Sequence, residues 1–244
     1  MAIGVIGGSG LYEFVQSAPD ANGVGYDTEY GPVELVRAHL HDREVFFLPR
    51  HGPDHAIPPH MINFRANIAA LHEAGCTDIL ATNAVGSVRR YISPSELVVP
   101  DQYIDFTKTR HSTFHDDFSE GAVHIDQTEP YSPALREKAH AAAEDMRLRL
   151  HDGGVYICAE GPRFETPAEI AMFAQWGADV VGMTGVPEVT LANELDIRYL
   201  SICIVTNYAA GMPQAEITHE EVMEIMESRV EDVRDLLGRI IAID

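Results

Sequence analysis

The chain of 244 residues is 45% hydrophobic and 23% charged, a composition typical of a globular protein. Its formal net charge of −21 argues against nucleic acid or an anionic membrane as the main partner, because both attract basic surfaces. The three cysteines form no Cys-x-x-Cys pair, and the amino-terminal residues contain neither a basic region nor a cleavage site. We therefore expect a cytoplasmic protein with a single domain over residues 1–244.

Short apolar runs alternate with helical patterns along the chain, which predicts an α/β fold with a mixed, mostly parallel central sheet flanked by helices. The predicted strands are Ala2–Ile6, Val45–Leu48, Asp78–Thr82, Val155–Cys158, Asp179–Met183 and Leu200–Thr206. The helical patterns lie at residues 62–75, 133–150, 167–177 and 187–196. A last helix follows a predicted capping box of Thr218 and Glu221. Residues 101–131 show neither the helical nor the strand periodicity of apolar residues, which predicts a long loop near a site or an interface.

Most of the predicted strands are followed by polar segments marked by glycine. These segments are Gly7–Gly10, Arg50–His55, Ala159–Thr166, Gly182–Glu188 and Thr206–Gly211. The carboxyl ends of parallel strands meet at one edge of a sheet, where α/β folds bind ligands. One shared pocket at this edge is therefore the prediction.

The first two of these segments predict a site for a bare phosphate. Adjacent glycines let main-chain N–H groups approach an anion, and the Ser9 hydroxyl adds a donor. Arg50 is suited to bidentate binding of an oxyanion. Glu13 stands where a dinucleotide fingerprint requires Gly or Ala, so a nucleotide cofactor fits this loop less well.

A metal site and a covalent mechanism find less support. His51, His55 and His60 are close in sequence, but the glycine and prolines between them preclude a regular helix that would present them on one face. No Gly-x-Ser-x-Gly elbow is present, and no cysteine lies in a recognisable nucleophile signature.

Taken in order, the motifs resemble the trimeric purine nucleoside phosphorylase and methylthioadenosine phosphorylase family over nearly the whole chain. The matching segments are Gly7–Leu11, Arg50–Gly52 with His55 and Pro59, Asn63–Ile68, Thr82–Ser87, Glu160–Thr166, Trp176–Val180 and Gly182–Glu188. The resemblance implies that inorganic phosphate, a co-substrate, attacks C1′ of a purine nucleoside and releases the base and ribose 1-phosphate. It implies no metal or other cofactor, and a homotrimer or a hexamer of two trimers.

The resemblance also assigns roles to residues of this chain. The residues that match phosphate-binding positions are Ser9, Arg50, His51 and Thr184. The residues that match positions around the ribose and the base are Met183, Asn83, Ala84, Asn207, Tyr208 and Ala209. Catalytic roles fall to His51 and Asn207.

Two departures from the methylthioadenosine pattern favour a 6-oxopurine base. That branch has an Asp-x-Asp stretch where this chain has Asn207 and Ala209, and a serine where this chain has Glu165. A carboxylate suits the N1–H of hypoxanthine or guanine, and the Asn207 amide donates to O6 and meets N7. Adenine N1 is an acceptor and would leave the Glu165 carboxylate unpaired, so 6-aminopurines are expected to be poor substrates.

The residue at the sugar end is His219. It matches the position where ordinary purine nucleoside phosphorylases place a histidine near the 5′-hydroxyl, whereas members that accept a methylthio group usually have an apolar residue there. We therefore expect inosine and guanosine as substrates, with S-methyl-5′-thioinosine as the alternative. Cleavage of S-methyl-5′-thioadenosine, a non-catalytic nucleoside-binding protein and a metallohydrolase are the remaining alternatives.

Overall fold

The structure is a computed structural model that describes residues 2–8, 11, 15, 17–52, 56–119, 121–212 and 219–243, with the backbone alone for 219–221. The strands are β1 (Ala2–Gly7), β2 (Asn22–Thr28), β3 (Gly31–Leu40), β4 (Arg43–Pro49), β5 (Cys76–Ser87), β6 (Leu97–Val99), β7 (Gln102–Phe106), β8 (Leu150–Asp152), β9 (Val155–Ala159), β10 (Val180–Gly182) and β11 (Arg198–Tyr208). The helices are α1 (Phe64–Glu73), α2 (Pro133–Met146), α3 (Pro167–Gln175), α4 (Gly185–Glu194) and α5 (His219–Ala242), with a 3₁₀ turn at Pro59–Met61.

All of these strands belong to one mixed sheet with β5 at its centre. Strand β5 pairs in parallel with β1 on one side and with β11 on the other, and β1 pairs in parallel with β4. The end of β5 continues antiparallel to β10, which leads in parallel to β9 and β7. On the β1 side, the sheet continues beyond β4 with the antiparallel strands β3 and β2. On the β11 side, β6 pairs antiparallel with β11, and β8 pairs in parallel with β6. The predicted fold class is confirmed.

The central strands are buried on both faces, which explains their uninterrupted apolar sequences. Successive side chains of a strand point to opposite faces, so Val5 and Ile6 enter different clusters. Ile6 packs with Leu71 of α1 and Val189 of α4, and Val5 packs with residues of α2 and α5. Within the described ranges, no helix is long and apolar enough to cross a membrane.

The six predicted strands are confirmed, five of them within two residues of their expected bounds, whereas β5 continues five residues beyond the predicted end at Thr82, to Ser87. The helix predicted over 133–150 ends earlier, at Met146, because Arg147 adopts a left-handed φ of 54° and the chain then forms β8. Residues 102–106 form β7 rather than a loop, and the described residues between 107 and 131 form no helix or strand. Thr218 of the predicted capping box lies outside the described residues, as does the side chain of Glu221.

Candidate active site

A cavity of about 560 Å³ lies at the carboxyl ends of the central strands. Its lining comes from the ends of β1, β4, β5, β10 and β11, from the loop before α3 and from α5. The predicted site residues in this lining are Arg50, His51, Ala84, Glu165, Met183, Thr184 and Asn207. Arg50 and Asn207, which are 157 positions apart in the sequence, thus line one cavity at the edge of the sheet where a pocket is predicted.

Arg50 follows β4 and is almost completely buried, with 3% of its surface exposed. Its Nε and Nη2 donate to the two carboxylate oxygens of Glu188 at 2.8 and 2.7 Å, and its Nη1 donates to the Thr82 carbonyl at 2.7 Å. Burial opposes the charge of Arg50, but the adjacent Glu188 carboxylate raises the pKa of the guanidinium above its usual value. These bonds use three of five N–H donors and leave one on each terminal nitrogen for a ligand.

His51, the next residue, is oriented by a main-chain acceptor. Its Nδ1 lies 2.8 Å from the carbonyl oxygen of Ile57. A carbonyl only accepts hydrogen bonds, so Nδ1 carries the proton in this arrangement. The ring is thereby fixed at the wall of the cavity, beside Arg50.

Thr184, at the end of β10, is held from two sides. Its hydroxyl donates to Asn83 Oδ1 at 2.7 Å, and Asn83 Nδ2 donates to Ser201 Oγ at 2.8 Å. The main-chain N–H groups of Thr184 and Gly185 donate to the Tyr156 hydroxyl at 3.2 and 3.1 Å. Asn83 is therefore buried behind Thr184 and does not itself line the cavity.

Glu165 supplies an acidic group in the loop before α3. Its Oε1 is buried and has no hydrogen-bond partner among the described residues. Burial raises the pKa of this carboxyl, because the charged form loses contact with water. A buried carboxylate oxygen without a partner calls for a donor, and an N–H of a ligand in the cavity would provide one.

Asn207 reaches the cavity because of an irregularity in β11. The register against β5 shifts between Val205 and Asn207, and a bulge of this kind redirects the side chains that follow it. Asn207 Oδ1 accepts from the Thr206 hydroxyl at 2.8 Å, and Nδ2 donates to the Tyr208 carbonyl at 3.0 Å. One N–H and one lone pair of the amide remain for a ligand. A Cβ at Gly86 would lie 3.1 Å from Asn207 Nδ2, so glycine there makes room for the amide.

The apolar part of the lining includes Met183, whose sulfur packs closely against Gly161. A Cβ at Gly161 would lie 2.7 Å from Met183 Sδ, and its φ of +68° also favours glycine. The lining residues that lie outside the predicted site segments and motifs include Ile57, Val222 and Met226. Val222 and Met226 are four residues apart in α5, a spacing typical of the apolar face of a helix, and this pattern does not distinguish a cavity wall from the core.

Two predicted residues point away from the cavity. The Tyr208 hydroxyl lies 3.4 Å from Ser93 Oγ and from the Arg90 carbonyl, outside the lining. Ala209 is buried in an apolar cluster beside α3, and its N–H donates to the Ser87 carbonyl at 2.8 Å. The bulge in β11 sets the faces on which Asn207 and Tyr208 lie, whereas Ala209 lies beyond the end of the strand. Ser9 lies outside the described residues, as does the side chain of His219.

Comparisons with known proteins show the family of the chain. The model of the phosphorylase superfamily matches residues 2–242. The chain is 48% identical over 240 residues to a probable S-methyl-5′-thioinosine phosphorylase of Methanothermobacter thermautotrophicus, covering 98% of this chain and 83% of that protein. It is 46% identical over 240 residues to the 6-oxopurine nucleoside phosphorylase of Pyrococcus furiosus, covering 96% and 90%.

A solved structure has the same fold. The methylthioadenosine phosphorylase from Schistosoma mansoni in complex with adenine superposes with a TM-score of 0.92 at 32% sequence identity, covering 99% of this chain and 91% of that one. The family model and these relatives span almost the entire sequence, including every strand that contributes to the cavity. The chain therefore belongs to the phosphorylase superfamily.

Proposed function

We propose that the protein is a 6-oxopurine nucleoside phosphorylase, which cleaves inosine and guanosine with inorganic phosphate to the free base and ribose 1-phosphate. The observation that carries the proposal is the buried, unpartnered Oε1 of Glu165 in the same cavity as the Asn207 amide. The carboxylate matches the N1–H of a 6-oxopurine, and the amide matches O6 and N7. Relatives named as 6-oxopurine nucleoside phosphorylases support the same base.

Arg50, His51 and Thr184 form the proposed phosphate site. In this mechanism the bound phosphate attacks C1′ while the sugar gains oxocarbenium character and the purine leaves with negative charge. Fixed donors at the places where charge develops stabilise such a transition state, each by about 10²–10³-fold in rate. Asn207 is the proposed donor to the departing base, and Met183 packs under the sugar. No residue of the chain is proposed to form a covalent intermediate, and no metal or other cofactor is proposed.

A second candidate is S-methyl-5′-thioinosine phosphorylase. Val222 and Met226 of α5 line the cavity and offer apolar surface suited to a methylthio group. Relatives named as probable S-methyl-5′-thioinosine phosphorylases also favour it. Both candidates share the base and differ only at the 5′ position, where the resemblance places His219.

Base release from purified protein tests the proposal. We expect hypoxanthine release from inosine that requires inorganic phosphate, with adenosine inert under the same conditions. Activity on S-methyl-5′-thioinosine alone would select the second candidate and keep the assignment of the base. Nucleoside binding that is independent of phosphate, without base release, would refute the phosphorylase and favour a binding protein.

The assembly and location remain proposals as well. A homotrimer, or a hexamer of two trimers, is the assembly that the family resemblance supports, and the three cysteines, which form no Cys-x-x-Cys pair, favour a location in the cytoplasm. Light scattering coupled to size-exclusion chromatography measures the number of subunits directly, and a monomer would refute this assembly.

A further inference from the structure

The irregular segment after β7 sends one arginine into the interior behind the cavity. The side chain of Arg110 is only 2% exposed, and its guanidinium carbon lies 5.1 Å from the centroid of the Phe64 ring. The neighbouring residues anchor the segment, because the Thr109 hydroxyl donates to the Glu160 carboxylate at 2.9 Å. Arg110 lies within residues 101–131, the predicted loop near a site or an interface, and in none of the motifs that predict the cavity.

The terminal nitrogens of Arg110 donate to main-chain carbonyls of two separate loops. Nη2 donates to the carbonyls of Met183 and Glu160 at 2.7 and 2.9 Å, and Nη1 donates to the carbonyl of Val186 at 2.6 Å. Buried carbonyls require donors, and the prolines that follow in both loops have no N–H to offer. One guanidinium therefore satisfies three acceptors at the junction of the two loops.

These two loops carry different parts of the site. The loop that begins at Glu160 leads to Glu165, which faces the base in the proposed function. The turn after β10 contains Met183 and Thr184, assigned to the sugar and the phosphate. The loops touch directly, since a Cβ on Gly161 would approach Met183 Sδ to 2.7 Å. The relative placement of base and phosphate thus depends on the junction that Arg110 spans.

We propose that Arg110 is a positioning residue, whose guanidinium holds the Glu165 loop in register with the turn of Met183 and Thr184 so that base and phosphate are aligned at C1′. This inference rests on the proposed function. Arginine is suited to the task because its planar fork reaches several carbonyls at once, whereas lysine presents a single nitrogen. Misalignment of reacting groups by about 1 Å costs on the order of 10²-fold in rate.

The test compares Arg110→Lys with a matched control, Arg65→Lys. Arg65 also lies over an aromatic ring, 4.8 Å from the Tyr30 centroid, and pairs with Asp116, but its described contacts include neither loop. We expect Arg110→Lys to lower kcat for inosine by about 10-fold or more, while the Kd for hypoxanthine alone changes less than about 3-fold. We expect kcat to change more than the Kd for hypoxanthine because the base contacts only one of the two loops, whereas catalysis needs both. Arg65→Lys is expected to stay within about 2-fold of wild type in both measurements.

Several outcomes would overturn the role of Arg110. One is an unchanged kcat in folded Arg110→Lys, and another is a loss of kcat matched by an equal loss in the number of hypoxanthine sites per protein, the mark of a smaller folded fraction. If Arg110→Lys does not fold, Phe64→Leu takes its place, since it removes the ring beneath the guanidinium. An unchanged kcat in Phe64→Leu would then refute the inference. A wild-type protein inactive on every nucleoside would refute the proposed function itself and this role with it, an outcome distinct from an active wild type with unaffected variants.

Discussion

Replacing Glu188 with glutamine tests whether the buried ion pair beneath the proposed phosphate site holds Arg50 in place. Glu188 has no exposed surface and accepts from Arg50 Nε and Nη2 at 2.8 and 2.7 Å and from the Tyr199 hydroxyl at 2.5 Å. Glutamine has a single oxygen, and its NH₂ group would face an N–H of Arg50. The arginine would remain charged and buried without compensation, which costs about 3–5 kcal/mol.

That free energy converts to a measurable shift in melting temperature. For a domain of this size, about 1 kcal/mol corresponds to roughly 2–4 °C, so Glu188→Gln is expected to melt about 6–20 °C below wild type. Scanning calorimetry at pH 7 measures the shift, with Asp152→Asn as the control. Asp152 pairs with Arg136 at 2.5 Å but is 57% exposed, so its loss is expected to cost less than about 1 kcal/mol. A shift below about 2 °C in Glu188→Gln would refute the reasoning.

A triple replacement separates the stability of this cluster from its function. Arg50→Met, Glu188→Leu and Tyr199→Phe together remove both charges and the hydroxyl while keeping similar volumes. Apolar groups that replace a buried ion pair are often neutral or stabilising. We expect the triple variant to recover most of the melting temperature lost in Glu188→Gln and to lose phosphorolysis, because the Arg50 donors are gone. A triple variant as unstable as the single one would show that the hydrogen bonds themselves stabilise the fold.

The remaining predictions concern substrate choice and pH. Asn207→Asp is expected to raise adenosine turnover, since a carboxylate accepts from a 6-amino group; adenosine turnover at background with inosine turnover unaffected would contradict the base assignment. His219→Val is expected to raise the ratio of S-methyl-5′-thioinosine to inosine cleavage, and an unchanged ratio would remove His219 from the sugar site. Because burial raises the pKa of Glu165, the neutral carboxyl persists to higher pH than in an exposed glutamate. The acid limb of kcat/KM for inosine, measured at saturating phosphate, should therefore lie above the usual glutamate range and disappear in Glu165→Gln.

The central strands were predictable because burial on both faces leaves a continuous apolar run in the sequence. In β1 every residue is buried, and β11 is buried from Tyr199 to Thr206. The hairpin of β2 and β3 was missed for the opposite reason. Strand β2 is mostly exposed and contains two glycines, which weakens any strand pattern. The alternation of buried Val33 and Leu35 with exposed Glu34 in β3 was a readable signal.

The site residues were predictable as a group, whereas their orientations were not. The strand-exit rule and the ordered motifs located Arg50, Glu165 and Asn207 at one cavity. The outward turn of Tyr208 depends on a bulge in β11 that no residue type in the sequence marks. The bond from Arg110 to the Met183 carbonyl joins residues 73 positions apart and uses a main-chain acceptor, which every residue possesses. The residue types in the sequence therefore indicate which functional groups are present, whereas the backbone conformation determines which of them reach the cavity.

The buried pair of Arg50 and Glu188 also bears on how an acidic protein with the proposed function would select phosphate. With a net charge of −21, the surface as a whole repels anions, but exposed charges are screened beyond about 8 Å at physiological salt. Within the cavity, Glu188 offsets the charge of Arg50 and fixes the direction of its remaining N–H groups. Recognition of phosphate in this arrangement depends on donors held in a set geometry rather than on an excess of positive charge. Such preorganised donors do not have to reorient as charge develops in the transition state, which is the property that phosphorolysis requires.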